Sequence, residues 1–497
     1  MTVRQTDRKE ENGIMVNTAG GKLNFLNIPR RKNLYRPVGE RIRDFRCVEI
    51  FPEKDELQCQ ASRCMDCGIP FCHAYGCPLG NVIPEMNSAV AEGDFETAWD
   101  LLRSTSNFPE FTSRICPALC EYACTAGHVL DPVAVRHTEY LVAEEAFRCG
   151  WVRPRAVPDR NGLRAAVIGS GPAGLAVADE LNQYGFQVTV YERNLSPGGL
   201  LRYGIPDFKL EKTVIDRRIR ILEQEGIHFE CGTEAGKDLS GAYLKKRHDV
   251  IVLAMGTPEA RDLKIPGRDL RGIHFALDFL SGENRCVSAE LPELPISAKG
   301  KKVLVIGGGD TGSDCIGTAR RQGAESILQI ELMPEPPAER SPSTPWPEFP
   351  YMRRDSSSHA EGVERLWSVN SSAFEGRDGA VTALQACRIQ WSLNEKGRPQ
   401  TFRALEDGAF RIETDLVLLA MGFTGVRADE GIVKEFSLSV EKGRIVTDPD
   451  MRSSDPRVFV AGDSASGASL VVRAIASGRR CAASVNRILQ KGGLAGK

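Results

Sequence analysis

Nine of the fifteen cysteines in this chain lie between Cys47 and Cys124. Seven of these form two ordered runs: Cys64-x2-Cys67-x4-Cys72-x4-Cys77-Pro78, then Cys116-x3-Cys120-x3-Cys124. Each spacing lets a turn or loop bring its thiolates to one point, the geometry of iron-sulfur ligation. In two-cluster ferredoxins the fourth cysteine of a run, before proline, ligates the other cluster, which allows Cys77 to cross over and Cys124 to do so in return. A zinc module is an alternative, although two-by-two spacing is usual there, and a regulatory thiol switch is another. His73 and His137 flank the cysteine groups, but a lone histidine is more often a surface or satisfied residue than a ligand.

A second chemistry is written in glycines. Gly169-Ser170-Gly171-Pro172-Ala173-Gly174 has the spacing that permits a tight turn, close backbone approach to a pyrophosphate, and close packing of helix on strand. Glu192, at the end of the next strand, is positioned to accept from ribose hydroxyls. Gly307-Gly308-Gly309-Asp310-Thr311-Gly312 is a second loop of this kind, with Glu331 in the position analogous to Glu192. The first loop is assigned to FAD and the second to NADH or NADPH. A carboxylate at Glu331 favours a free ribose hydroxyl over a 2'-phosphate, hence NADH, unless Arg320, Arg321 or Arg340 approaches a phosphate from elsewhere. Gly199, Gly256, Gly462 and Asp463 complete the expected flavin site, Asp463 as an acceptor for a ribityl hydroxyl or, alternatively, an ordinary helix cap.

No redox cysteine pair follows the flavin loop; NLSPGGLLRYGIPDFKL occupies that region, and Cys231 and Cys315 stand alone. Electrons must leave a flavin by another route, and the N-terminal cysteine segment offers one. Hydride transfer between cofactors requires positioning and no acid-base residue of the protein, so no catalytic side chain is expected.

These residues need particular elements to hold them. Residues 1–45 are polar and basic and read as an extended arm lying on a neighbour. Residues 46–150 carry helical apolar spacing around the cysteines and predict a small α-helical domain. The segment VRPRAVPDRNG is a linker. LRAAVIGSGPAGLAVADELNQYGFQVTVYER is a strand, a glycine turn, a helix and a strand, and KGKKVLVIGGGDTGSDCIGTARRQGAESILQIELMP repeats that plan about 138 residues later. The fold class is therefore α/β, with two Rossmann-like domains behind the helical one. The strands at 250–260 and 415–425 each close a sheet or cross between domains. A C-terminal strand, glycine loop and long helix return to the first unit, so the nicotinamide domain (291–434) is read as inserted into the FAD domain (151–290 and 435–497).

At 497 residues the chain exceeds a single core, and its 41% hydrophobic and 26% charged fractions are those of ordinary globular proteins. With 64 basic against 66 acidic side chains, net −2, it lacks the positive field that nucleic acid requires. The opening MTVRQTDRKEENG lacks the apolar core of a signal peptide, and no run of about 18 apolar residues predicts a membrane span. A cytoplasmic location is expected.

The segments CMDCGIPFCH, GCPLGN, ICPALCEYACT, GSGPAGLA, YERNLSPGGLLRYGIP, VIGGGDTGSDCIGTA, STPWPEFP, LLAMGF and AGDSASGASLVVRAI together resemble the small subunit of glutamate synthase, nearly end to end. The resemblance implies FAD and NAD(P)H domains behind a domain ligating two [4Fe-4S] clusters. It also implies a large-subunit partner that carries FMN and an amidotransferase site and makes glutamate from glutamine and 2-oxoglutarate. On that pattern one cluster takes Cys64, Cys67, Cys72 and Cys124; the other takes Cys77, Cys116, Cys120 and a non-cysteine ligand, matched to Glu139, with Cys59 as runner-up. QIELMPEPP with STPWPEFP looks more like NADH-using members than NADPH-using ones. Arg473 departs from the tryptophan more usual there. The rival reading is the electron-input subunit of a ferredoxin-linked transhydrogenase or other reductase.

Overall fold

The computed structural model describes residues 24–156, 159–395, 397–429 and 431–490. The cysteine region is helical throughout: α1 (Lys54–Ala61), α2 (Ile83–Glu92), α3 (Phe95–Thr105), α4 (Pro109–Ile115) and α5 (Val135–Arg148). Helices α2 and α3 form a hairpin because Gly93, at φ +82°, ends one in the left-handed region while the Asp94 side chain caps the next by accepting from the Thr97 N–H at 3.0 Å. Leu57, Ile83, Met86, Val90, Leu102 and Val142 make its core. The cysteine runs occupy the turns between helices. Gly76 lets them touch, since a Cβ there would lie 2.7 Å from the Cys120 Cα.

The strands that follow are β1 (Arg164–Ile168), β2 (Gln187–Glu192), β3 (His228–Cys231), β4 (Val250–Leu253), β5 (Ile273–Phe275), β6 (Lys302–Ile306), β7 (Ser326–Glu331), β8 (Glu364–Trp367), β9 (Leu416–Leu419) and β10 (Val458–Val460). They make two parallel five-stranded sheets, ordered β10-β4-β1-β2-β3 and β8-β7-β6-β9-β5. Each central strand is a short run that is apolar and buried after at most one leading charged residue, Arg164 or Lys302, as a parallel strand covered on both faces must be. Helix α6 (Pro172–Gln183) follows β1, α7 (Asp310–Arg321) follows β6, and α8 (Val471–Gln490) packs on α6. A Cβ at Gly478 would run into the Ala173 carbonyl, so that packing depends on glycine.

The sheets revise the expected boundaries. Ile273–Phe275 pairs with β9 of the second sheet, and the helix Ala276–Val287 packs beside α7, so neither belongs to the first unit, which was expected to run to residue 290. At the other side, Val426, Ile432 and Val433 already pack on the first sheet, short of residue 435. The chain crosses between the two sheets where Glu259–Ala260 pairs antiparallel with Phe423–Gly425. The insertion topology stands, since β10 returns to the first sheet after the second is complete. An antiparallel three-stranded sheet over residues 369–413, absent from the expectation, joins β8 to β9.

Residues 24–45 of the N-terminal arm lie against both units; residues 1–23 of it are outside the described residues. Leu34–Tyr35 pairs with Glu49–Ile50, and the Val48 N–H donates to the Phe208 carbonyl at 3.0 Å. Arg41 donates to Glu361 at 2.7 Å, as does Arg321 from α7, and all three side chains are buried. Among the described residues no helix is long and apolar enough to cross a membrane.

Candidate functional site

A cleft of about 1680 Å³ runs between the two sheets and the helical domain. On its flavin side, the loop after β1 turns at Gly169, whose φ of +101° and 2.5 Å approach to the Ala254 carbonyl exclude a Cβ. Gly171, at φ −65°, heads α6 with open space where a Cβ would sit, beside the unsatisfied N–H groups of the helix terminus. That open cradle fits a pyrophosphate. Gly174 presses on the Gly169 carbonyl, and Gly199 lies so close to the Gly171 Cα that a Cβ would approach to 2.7 Å. Pro172 and Ala173 open the helix behind them.

Glu192 is buried and holds this loop. Its Oε2 accepts from the Ser170 N–H at 3.1 Å and the Ser170 hydroxyl at 2.5 Å; Oε1 accepts from the Asn194 N–H and side-chain amide at 2.8 and 2.7 Å. Gly462, at φ +68°, brings Asp463 to the cleft, where the Ser469 hydroxyl donates to Oδ1 at 2.6 Å and burial pushes the carboxyl upward. Gly256, at φ +72°, faces open space and its carbonyl accepts from the Ser464 hydroxyl.

The second loop repeats the design. Gly307 turns at φ +124° against the Ala420 carbonyl, Gly309 heads α7 with open space at its Cβ position, and Gly312 presses on Gly307. Glu331 accepts from the Gly308 N–H and, at 3.2 Å, from the Met333 N–H, matching the grip of Glu192 on Ser170. Asp310 and Thr311 line the cleft. The three arginines that could have met a phosphate are engaged elsewhere. Arg321 is buried on Glu361, Arg340 donates to the carbonyls of Thr344, Glu348 and Tyr122, and Arg320 donates to the Gly362 carbonyl.

The cysteines separate into two sets. Cys64, Cys67, Cys72 and Cys124 surround one small cavity whose other lining is chiefly apolar, including Ile83, Val133 and Val135. Burial pushes the Cys64 thiol up to about 11 and Cys72 to about 12, so these sulfurs ionise only when a metal replaces the proton. Among the described residues no three His, Cys, Asp or Glu side chains converge closely enough for a single metal ion.

In the second set Glu139 faces Cys77, Cys116 and Cys120, raising all three, although burial is the larger cause; burial also pushes Glu139 itself up to about 7. Peptide N–H groups of Leu79, Gly80 and Asn81 point at Cys77, and those of Ala118 and Leu119 at Cys116, aided by Ala118 at φ +57°. Burial raises the Cys59 thiol, with a smaller contribution from Glu56, and Cys59 does not line the cavity of the first set. His73 is held by the Asn81 carbonyl at 2.9 Å, and His137 by Glu49 at 2.9 Å. Cys116 lines the large cleft together with Gly169, Gly171 and Asp463.

Residues 163–478 match the pyridine nucleotide-disulphide oxidoreductase family, and residues 41–151 match the family described as dihydropyrimidine dehydrogenase domain II, 4Fe-4S cluster. The chain is 48% identical over 478 residues to the glutamate synthase [NADPH] small chain of Mycobacterium tuberculosis, covering 95% of this chain and 96% of that one. The chain belongs to the glutamate synthase small-chain family. Glutamate synthase [NADH] of Saccharomyces cerevisiae is 42% identical over 94% of this chain, which spans 22% of that much longer protein. Among solved structures, Mycobacterium tuberculosis FprA in complex with NADPH shares the fold at TM-score 0.52 and 17% identity, over 67% of this chain and 86% of that one. As a member of that family, the chain is an oxidoreductase with FAD, NAD(P)H and iron-sulfur as its cofactors.

Several residues of the small-chain site escaped the sequence reading. Lys209, from the loop YGIPDFKL of the flavin unit, pairs with Asp314 of α7 at 2.5 Å across the cleft, and tyrosine 203 donates to Glu290 at 3.0 Å. Asn81 donates to Glu139 Oε1 at 2.8 Å while accepting from the Thr105 hydroxyl at 2.9 Å, which fixes the carboxyl toward the three thiols. An asparagine two residues before α2 is the only sequence signal for it, and that signal is weak.

Proposed function

We propose that this chain is the electron-input subunit of a glutamate synthase: it oxidises NADH at FAD and feeds two [4Fe-4S] clusters that serve a large subunit with FMN and amidotransferase sites. There the electrons support reductive synthesis of glutamate from glutamine and 2-oxoglutarate. Bound FAD and clusters supply the conversion of a two-electron hydride donor into single electrons. The protein's own part is binding and orientation. The N–H groups at the heads of α6 and α7, with Gly171 and Gly309, would hold the two pyrophosphates, and Glu192 and Glu331 would receive the ribose hydroxyls. The Lys209–Asp314 pair holds the nicotinamide unit against the flavin unit, which keeps the reacting rings in register.

Cys77, Cys116, Cys120 and Glu139 are assigned to the cluster nearer the flavin, and Cys64, Cys67, Cys72 and Cys124 to the farther one. The observation that carries this route is Cys116, which shares one cleft with the flavin loop and the head of α7. The preference for NADH rests on Glu331 and on the engagement of Arg320, Arg321 and Arg340 with other partners. We assign the reaction to the cytoplasm, a reducing compartment that suits fifteen cysteines free of disulfides. Iron and sulfide analysis of the anaerobically purified chain tests the assignment. About eight of each per chain is expected for two [4Fe-4S] clusters; about four would remove one cluster from the route.

A further inference from the structure

Asn87 sits in the interior of α2 with no exposed surface, and neither its Oδ1 nor its Nδ2 meets an oxygen or nitrogen partner; the amide instead approaches the Cys64 sulfur closely enough to hydrogen-bond it. The large majority of buried side-chain polar atoms are paired with oxygen or nitrogen, so a wholly buried amide with a thiol as its neighbour requires a reason. Asparagine is also a poor helix former, and its neighbours Met86 and Val90 belong to the apolar core, where a leucine would pack at no polar cost. The amide lines the cavity enclosed by Cys64, Cys67, Cys72 and Cys124, next to the Cys64 sulfur. By contrast, Asn81, six residues earlier, spends its amide on Glu139 and Thr105.

A protonated thiol offers a poor acceptor; a ligated sulfur carrying negative charge offers a good one. Reduction adds negative charge to that sulfur-rich group, so a donor fixed beside it stabilises the reduced state and raises the potential. We propose that Asn87 is a positioning residue that donates from Nδ2 to the sulfurs of the cluster held by Cys64, Cys67, Cys72 and Cys124, setting that cluster's potential above the value its apolar pocket would give. The inference rests on the assignment of those four cysteines as one ligand set.

The test is an anaerobic redox titration of the full-length holoprotein followed by electron paramagnetic resonance, comparing wild type with Asn87→Leu, Asn87→Met and Cys64→Ser. Asn87→Leu should retain iron and sulfide at the wild-type level. One of the two midpoints should fall by about 59 mV, a tenfold change in a one-electron equilibrium, and the other should stay. Unchanged midpoints with full iron would overturn the role of Asn87. Loss of iron in both apolar variants would overturn it as well, since the amide would then serve assembly alone. Cys64→Ser separates the underlying assignment: full iron and unaltered signals in that variant would remove the cluster from this cavity, whatever the Asn87 variants do.

Discussion

Replacing Glu331 by Gln removes one negative charge from the end of β7 while keeping an oxygen that can accept from the Gly308 N–H, at the loss of the longer bond from the Met333 N–H. Loop geometry should therefore survive, and the electrostatic contribution can be read alone. Two unit charges about 5 Å apart, at an effective dielectric of about 40 for a half-buried strand end, repel by about 1.7 kcal/mol. A 2'-phosphate carries more than one charge, and salt screens part of it, leaving about 2 kcal/mol, or about thirtyfold in affinity. The ribose hydroxyls of NADH meanwhile exchange a charged acceptor for a neutral one, which costs about 1 kcal/mol, or about fivefold. Stopped-flow bleaching of the flavin at several concentrations of each nucleotide gives the two second-order constants. Glu331→Gln should raise the constant for NADPH and lower that for NADH. A ratio that does not move, or a wild-type chain that already prefers NADPH, would refute the argument. The question is sharp because relatives at 48% and 42% identity are named for NADPH and NADH respectively.

Other outcomes follow from the same geometry. Gly171→Ala should leave the thermal stability of the flavin-free chain almost unchanged yet abolish FAD retention, and Gly309→Ala should weaken NADH binding alone, since each Cβ enters open space reserved for phosphate. Glu139→Ala should reduce iron from about eight to about four per chain by removing one cluster's ligand. Glu361→Ala strands the buried guanidinium groups of Arg41 and Arg321 and should destabilise the chain by about 3–5 kcal/mol in denaturant titration. Burial pushes His248 and His359 from 6.5 down to about 4, so below pH 6.5 the unfolded chain binds more protons than the folded one. Stability measured by thermal melting should accordingly fall as pH drops from 6.5 toward 4, and a flat profile would discount both imidazoles.

The parts of this fold that were legible are those encoded locally. Cysteine spacings, the two glycine loops and the strands before them are each contained within about thirty residues, and their chemistry follows from residue type. Glu139 was found through resemblance, because no spacing links it to Cys120. The boundary near residue 290 was misread because β5 is three residues long, Ile273–Phe275, too short to display a period, and its sheet partner β9 lies far along the chain. The same distance hides Arg41–Glu361 and Lys209–Asp314, which only folding brings together. Asn87 was invisible for a different reason: on a helix whose neighbours are apolar, a single amide reads as an ordinary polar position until its burial and its thiol neighbour are known.

The central claim is that electrons pass from the flavin cleft through the group held at Cys116. The direct measurement is glutamate formation from glutamine and 2-oxoglutarate by the holoprotein reconstituted with a glutamate synthase large subunit, comparing wild type with Cys116→Ser, with flavin bleaching by NADH recorded in parallel. The account predicts that Cys116→Ser still bleaches its flavin with NADH and forms no glutamate. Glutamate formation at the wild-type rate in that variant would contradict it.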